Sequence, residues 1–431
     1  MNKIWESHAL LGMHSVRSLP AWEQELLRQI QPSGPELKLF PACQNGAEQL
    51  AASCLLMDWI YDPVFAGYAR QADGSLFPHM LPDANGQGAF FAGNAPSPEV
   101  TAVLIEQKMQ EALCAWQKKN YLDFFRYAGI LGHFLQDMTA PTHVISPGLL
   151  RNLFPDPEPS RYASLQGCYT IAEKLPVPEP TLAGRTVQEA AFHLMNDAFW
   201  AADRAQKLIP ELLQAVYARS TEDCCRILKQ PATDAALLTA RAWHTIFSLA
   251  AEKLPEQELE KLSVFPLDQL FPVYKHPSLY AGTNMGVLCL DGKKLPLRLR
   301  NGDTAETFRS GFGMTGHSGF KFYLHGQFST LRFTLGLADH KSSLLPRIDL
   351  RFTVETTKGW NQVFSEDMNF NGEVIYETRL TPDTPLIDIT VDLHHAGTLI
   401  FASHATTYKT PDGEIAFDIP HLAVVSPILI R

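Results

Sequence analysis

The run His133-Phe-Leu-Gln-Asp137-Met-Thr-Ala-Pro141-Thr-His143 constrains this chain more than any other stretch. Residues Tyr121 to Met138 read as a helix, because Phe124, Phe125, Ala128, Leu131, Phe134 and Leu135 recur at helical spacing and make one apolar face. Gly129 and Gly132 thin that helix just before His133, which calls for close packing or room for a ligand. His133 and Asp137 stand four apart, so the helix presents both on one side. Pro141 supplies no amide hydrogen and pushes Ala140 out of helical geometry, so the helix stops and the chain turns back at His143. One helix end therefore offers two imidazoles and a carboxylate within eleven residues. Nitrogen and carboxylate-oxygen donors suit zinc, and a carboxylate has two oxygens with which to bridge two ions. A His and an Asp four apart are most often a plain helix-surface pair. The proline stop and the second histidine set this run apart.

The segment resembles the histidine–aspartate–histidine core of the zinc-dependent phospholipases C, relatives of the single-strand-specific zinc nucleases. In that family His-x3-Asp-x5-His lies on a helix ended by proline. Tyr121-Leu-Asp-Phe-Phe-Arg-Tyr-Ala-Gly129 also resembles the family's aromatic helix. The resemblance implies an all-α metal-hydrolase domain and brings further residues with it. His8, close to Trp5, matches a metal-binding histidine at the start of the first helix. Asp58-Trp59 matches a metal-binding aspartate followed by an aromatic residue, with Asp62 before Pro63 as the alternative. His79, in the turn-rich stretch from Phe77 to Gly86, matches a loop ligand. The implied ligand set is His8, Asp58, His79, His133, Asp137 and His143 around zinc ions, with Asp137 as the bridge. Asp58 would also orient or deprotonate the attacking water. Trp5, Trp59 or Phe77 would line a choline or lipid-headgroup pocket, since an aromatic face attracts a quaternary ammonium. The reaction implied is hydrolysis of a phospholipid such as phosphatidylcholine, at a membrane surface, to diacylglycerol and a phosphorylated headgroup.

After His143 the chain departs from the family. There a His-x3-Glu pair on the next helix completes one zinc site, whereas Tyr162 and Gln166 occupy those positions here. Neither is a usual zinc ligand, and Asp156, Glu158 or Glu173 are the substitutes on offer. Two tightly held zinc ions are therefore expected, with a third weak or absent. The family's tryptophan is usually the mature N-terminus, its amine a ligand; here four residues precede Trp5. Two other readings stand beside the phospholipase: a nuclease or nucleotidase of the same superfamily, and a non-catalytic binding protein with a degraded metal site. A formal charge of −10 and no basic cluster near the ligands argue against nucleic acid as a partner.

The 431 residues suffice for two domains with separate cores. Helices are expected over 47–62, 99–118, 186–216 and 232–252, with His193 and Asp197 as helix-surface residues and His14 packing or solvent-facing. The helical domain is expected to span 1–254, followed by a linker over 255–282 and a β-sandwich over 283–431. Strand patterns at Phe320–Leu324, Leu331–Leu335, Ile348–Val354, Ile387–Val391 and Thr398–Phe401 carry the last of these. Within it, Gly311-Phe-Gly-Met-Thr-Gly-His317 and Phe333–Asp339 resemble a novel carbohydrate-binding module, a galactose-binding-like jelly roll, which implies a carbohydrate or protein ligand. The fold class is thus multidomain α + β. No run of eighteen apolar residues predicts a spanning helix. The N-terminus shows no signal-peptide pattern, so export would need a leaderless route; otherwise the protein stays cytoplasmic. Seven scattered cysteines without a Cys-x2-Cys pair fit free buried thiols in a reducing compartment.

Overall fold

The structure, a computed structural model, describes residues 6–30, 43–59, 80–82, 88–90, 98–145, 153, 168–169, 179–275, 284–290, 293–340, 348–360, 371–405, 407–409, 412, 415–417 and 420–431. It divides into two compact units, residues 1–259 and 260–431.

The first unit is helical. Among the described residues its helices are α1 (Glu6–Ser18), α2 (Ala21–Gln29), α3 (Gly46–Ser53), α4 (Leu56–Trp59), α5 (Pro98–Gln117), α6 (Tyr121–Asp137), α7 (Val187–Lys207), α8 (Ile209–Tyr217) and α9 (Thr221–Ala250), and α10 (Glu256–Lys261) begins in it. Met80–Pro82 and Gly88–Phe90 pair as a short antiparallel hairpin. Asn120 caps α6 by accepting a hydrogen bond from the Asp123 amide at 3.3 Å. From Phe124 onward nearly every residue of α6 is buried. The helix expected over 186–216 divides at Leu208, where Pro210 sits in the first turn of a new helix.

The glycines of α6 serve close packing. A Cβ on Gly129 would lie 2.4 Å from the Ser53 Cβ, and one on Gly132 would lie 3.0 Å from Cζ2 of Trp243. Trp243, fully buried on α9, donates its indole N–H to the Ala128 carbonyl at 2.8 Å. Phe124 meets Trp116 and Phe247 with centroids 5.0 and 5.4 Å apart. Each such ring buried stabilises the unit by about 1.5–3 kcal/mol, the force that draws α5, α6 and α9 together.

The second unit is an antiparallel β-sandwich. Among the described residues one sheet runs in the order Ile387–Asp392, Thr330–Leu337, His421–Ile430, Gly311–Thr315, Asn284–Met285, with Val264–Pro266 also on His421–Ile430. The other runs Glu373–Leu380, Leu350–Thr357, Thr398–Ala405, His317–Tyr323, Tyr274–Lys275. Phe312 of the first sheet packs on Phe320 and Phe401 of the second at 4.6 and 5.2 Å, and Phe333 packs on Phe401 at 5.8 Å. These rings interdigitate between the layers, which is how a sandwich fills its core.

Three expectations need correction. The stretch taken as a linker, 255–282, holds a helix and two strands: Val264–Pro266 pairs with Ile428–Ile430, and Tyr274–Lys275 pairs with Phe320–Lys321. Strands of two or three residues are too short for alternation to show. Cys168 and Cys225 form a disulfide, whereas Cys54 and Cys224 are buried free thiols. The paired cysteines lie 57 residues apart, a spacing that announces nothing, and only the fold brings their Cα atoms to 4.3 Å. His193 is buried rather than on the helix surface, and Asp197 pairs with Arg241 of α9.

Candidate metal centre

The end of α6 meets the first turn of α1. Ser15 ties α1 to α9 by donating to the Ala236 carbonyl at 3.0 Å, and this seats His8 beside α6. The His8 and His133 rings lie 4.1 Å apart between centroids. Asp137 stands between the imidazoles. Its Oδ2 is 3.1 Å from His133 Nε2, and its Oδ1 is 3.6 Å from His8 Nε2 and 3.7 Å from His143 Nε2. His143 returns to the helix through two successive turns, in which the Ala140 amide bonds the Asp137 carbonyl and the His143 amide bonds the Ala140 carbonyl. Pro141, with no amide hydrogen, makes that reversal rather than another helical turn. His8, His133 and Asp137 are buried, while the His143 side chain is 23% exposed, so the cluster meets solvent at His143.

A second layer holds the rings. His133 Nδ1 is 2.8 Å from the Cys54 carbonyl oxygen, to which it donates, and this leaves Nε2 for the carboxylate side. His8 Nδ1 is 2.7 Å from Oε1 of Gln136, whose amide N–H contacts the Cys54 sulfur at 3.8 Å. The Gln136 carbonyl accepts from the hydroxyls of Tyr169 and Thr139 at 2.7 and 2.8 Å.

Burial, helped by the neighbouring His133, pushes His8 down to about 3, so its imidazole is neutral at ordinary pH. Burial alone would raise Asp137, but His133 and then His143 hold it well below the usual carboxylate range. A buried, ionised carboxylate is costly unless paired or bound to a metal. Here imidazole nitrogens and one anionic oxygen group converge, with donor atoms of His8, His133 and Asp137 all within 4.8 Å of one another. That donor set fits zinc in type and in charge.

Of the residues named from sequence, His8, His133 and Asp137 come together, with His143 at the edge. Trp5, Phe77 and His79 lie outside the described residues, as do Asp156, Glu158, Tyr162, Gln166 and Glu173. The backbone of Asp58 and Trp59 closes α4, and their side chains lie outside the description. Gln136 and the Cys54 carbonyl were not foreseen. A backbone oxygen has no residue signature, and a glutamine beside Asp137 belongs to no ligand pattern.

No family model and no curated protein matches the chain. Solved structures do. An alpha-toxin isolated from an avian strain of Clostridium perfringens is 11% identical over 97% of this chain and 97% of that one, with a TM-score of 0.33. The alpha toxin of Clostridium absonum is 12% identical over 93% of this chain and 85% of that one, with a TM-score of 0.35. The CBM51-2 and INT domains of Clostridium perfringens ZmpB, in complex with GlcNAc, are 16% identical over 39% of this chain, with a TM-score of 0.29. This last match spans 31% of that protein's length.

Proposed function

We propose that the helical unit is a zinc-dependent hydrolase that cleaves the phosphodiester of a phospholipid such as phosphatidylcholine, giving diacylglycerol and a phosphorylated headgroup. The observation that carries this reading is the convergence of His8 from α1 with His133 and Asp137 from α6, buried and within 4.8 Å, at residues named by the resemblance of the sequence. Zinc, when bound, supplies positive charge against phosphoryl oxygens and acidifies a water. The chain's own residues set the rest. His8 offers a nitrogen already free of positive charge, because burial keeps its ring neutral. Asp137 supplies the negative charge and turns one oxygen to His133 and the other to His8 and His143. His143, the partly exposed member of the cluster, is where a substrate phosphate arrives from solvent. Asp58 orients the attacking water, His79 completes the ligand set, and Trp5, Trp59 and Phe77 hold the headgroup. Two ions are held tightly and a third is weak or absent, since Tyr162 and Gln166 replace usual ligands. The sandwich takes a carbohydrate or protein ligand, and the helical unit acts on lipid at a membrane surface.

The test pairs elemental analysis with turnover on phosphatidylcholine vesicles. Asp137→Asn should lose zinc and at least ~100-fold in activity together, because it removes the charge that holds the cations. Turnover that persists in fully chelated protein refutes the reading. Zinc binding without lipid cleavage, but with cleavage of single-stranded DNA, redirects it to a nuclease.

A further inference from the structure

We propose that Gln136 is a positioning residue that fixes the tautomer of His8 and so aims its Nε2 lone pair at the metal centre. The proposal rests on the zinc reading above.

A neutral imidazole carries one proton and binds a metal through its bare nitrogen. His8 Nδ1 lies 2.7 Å from Gln136 Oε1, an ordinary hydrogen-bond length. His8 Nε2 lies 3.6 Å from Asp137 Oδ1, too far for one. An amide oxygen can only accept, so the proton is held at Nδ1 and donated to it, and the lone pair of the neutral ring lies on Nε2, on the Asp137 side. Were the proton at Nε2 instead, two lone pairs would face each other across 2.7 Å. Gln136 is wholly buried, so no bulk water can replace its oxygen.

The glutamine is itself held. Its amide N–H contacts the Cys54 sulfur, whose thiol is pushed up to about 12 by burial and so stays protonated. Its backbone carbonyl is gripped by Tyr169 and Thr139. His133 solves the same problem with the Cys54 carbonyl, which no side-chain replacement removes. His8, unlike His133, takes its Nδ1 acceptor from a replaceable side chain. Partners of this kind typically alter metal affinity about 10- to 100-fold.

The test uses the full chain, with Gln136→Met to remove the acceptor at similar length and Gln136→Glu to restore it. Long-range proton–nitrogen NMR on the metal-free, ring-labelled protein should show His8 protonated at Nδ1 in wild type and in Gln136→Glu, and not in Gln136→Met. Competition with a chelator should show zinc binding about 10- to 100-fold weaker in Gln136→Met and recovered to within about threefold in Gln136→Glu. A merely structural role predicts the reverse order, because methionine packs well and a buried carboxylate does not. Zinc affinity in Gln136→Met within about threefold of wild type, or an Nε2 proton on His8 in wild type, overturns the proposal. Wild-type protein that takes up no zinc overturns this proposal and the zinc reading together, whereas an unaffected Gln136→Met variant overturns this one alone.

Discussion

Replacing Gly129 by alanine tests how closely α6 approaches the end of α3. The new Cβ would lie 2.4 Å from the Ser53 Cβ, 2.6 Å from the Ser53 carbonyl carbon and 2.8 Å from its oxygen. Two of these three are backbone atoms, so no rotamer change relieves them. The segments must part by about 1 Å to regain ordinary contact. Overpacking costs roughly 1–3 kcal/mol, and a backbone wall puts this site at about 2–3. Alanine returns about 1 kcal/mol in helix propensity, which leaves a net loss of about 1–2 kcal/mol. For a unit of this size that is a fall of roughly 2–8 °C in Tm. The second consequence reaches the candidate metal centre. His133 lies one turn beyond Gly129 on the same face, and its Nδ1 bonds the carbonyl of Cys54, the residue after Ser53, at 2.8 Å. Retreat by about 1 Å breaks that bond, and zinc affinity should fall ~10-fold. Calorimetry and chelator competition read the two effects. Gly132→Ala is the control: its Cβ meets only side-chain atoms, at 3.0–3.1 Å, and should cost less. Stability of Gly129→Ala within about 0.5 kcal/mol of wild type, with zinc affinity intact, would show that the helices do not pack this way.

Two further outcomes are expected. Glu23, whose Oε1 lies 2.7 Å from His244 Nδ1, is raised above its usual range by burial, with Glu179 and Glu258 adding and His244 opposing. A raised folded-state value means that the folded protein holds this proton more tightly than the unfolded chain, so the contribution is favourable in acid and lost as pH climbs through it. Glu23→Gln should therefore gain in Tm over wild type as pH rises from 4.5 toward neutrality, and a pH-independent difference would contradict the burial. Peptide mapping without reductant should recover Cys168 joined to Cys225, and replacing both by serine should cost about 2–4 kcal/mol; alkylation of Cys168 and Cys225 themselves in oxidised protein would disprove the bond.

Local pattern by itself determined α6, its stop before Pro141, and the common face of His133 and Asp137. Periodicity and a missing amide hydrogen act between near neighbours, so they can be read without the fold. The same holds for strands such as Ile387–Asp392, whose alternate residues are buried. His8 has no local mark, and only the resemblance pointed to it. Its approach to Asp137 depends on α1 being drawn against α3, α6 and α9 by burial of apolar faces, a long-range outcome that no spacing encodes. The tertiary structure also decided between the two readings of Gly129 and Gly132, because whether a missing side chain admits a ligand or a neighbouring helix depends on what stands opposite. It paired Cys168 with Cys225, turned Val264–Pro266 and Tyr274–Lys275 into strands by giving them partners, and placed Gln136 and the Cys54 carbonyl behind the two imidazoles. Each of these is a relation between segments remote in the chain, created only when helices and sheets pack to remove apolar surface from water.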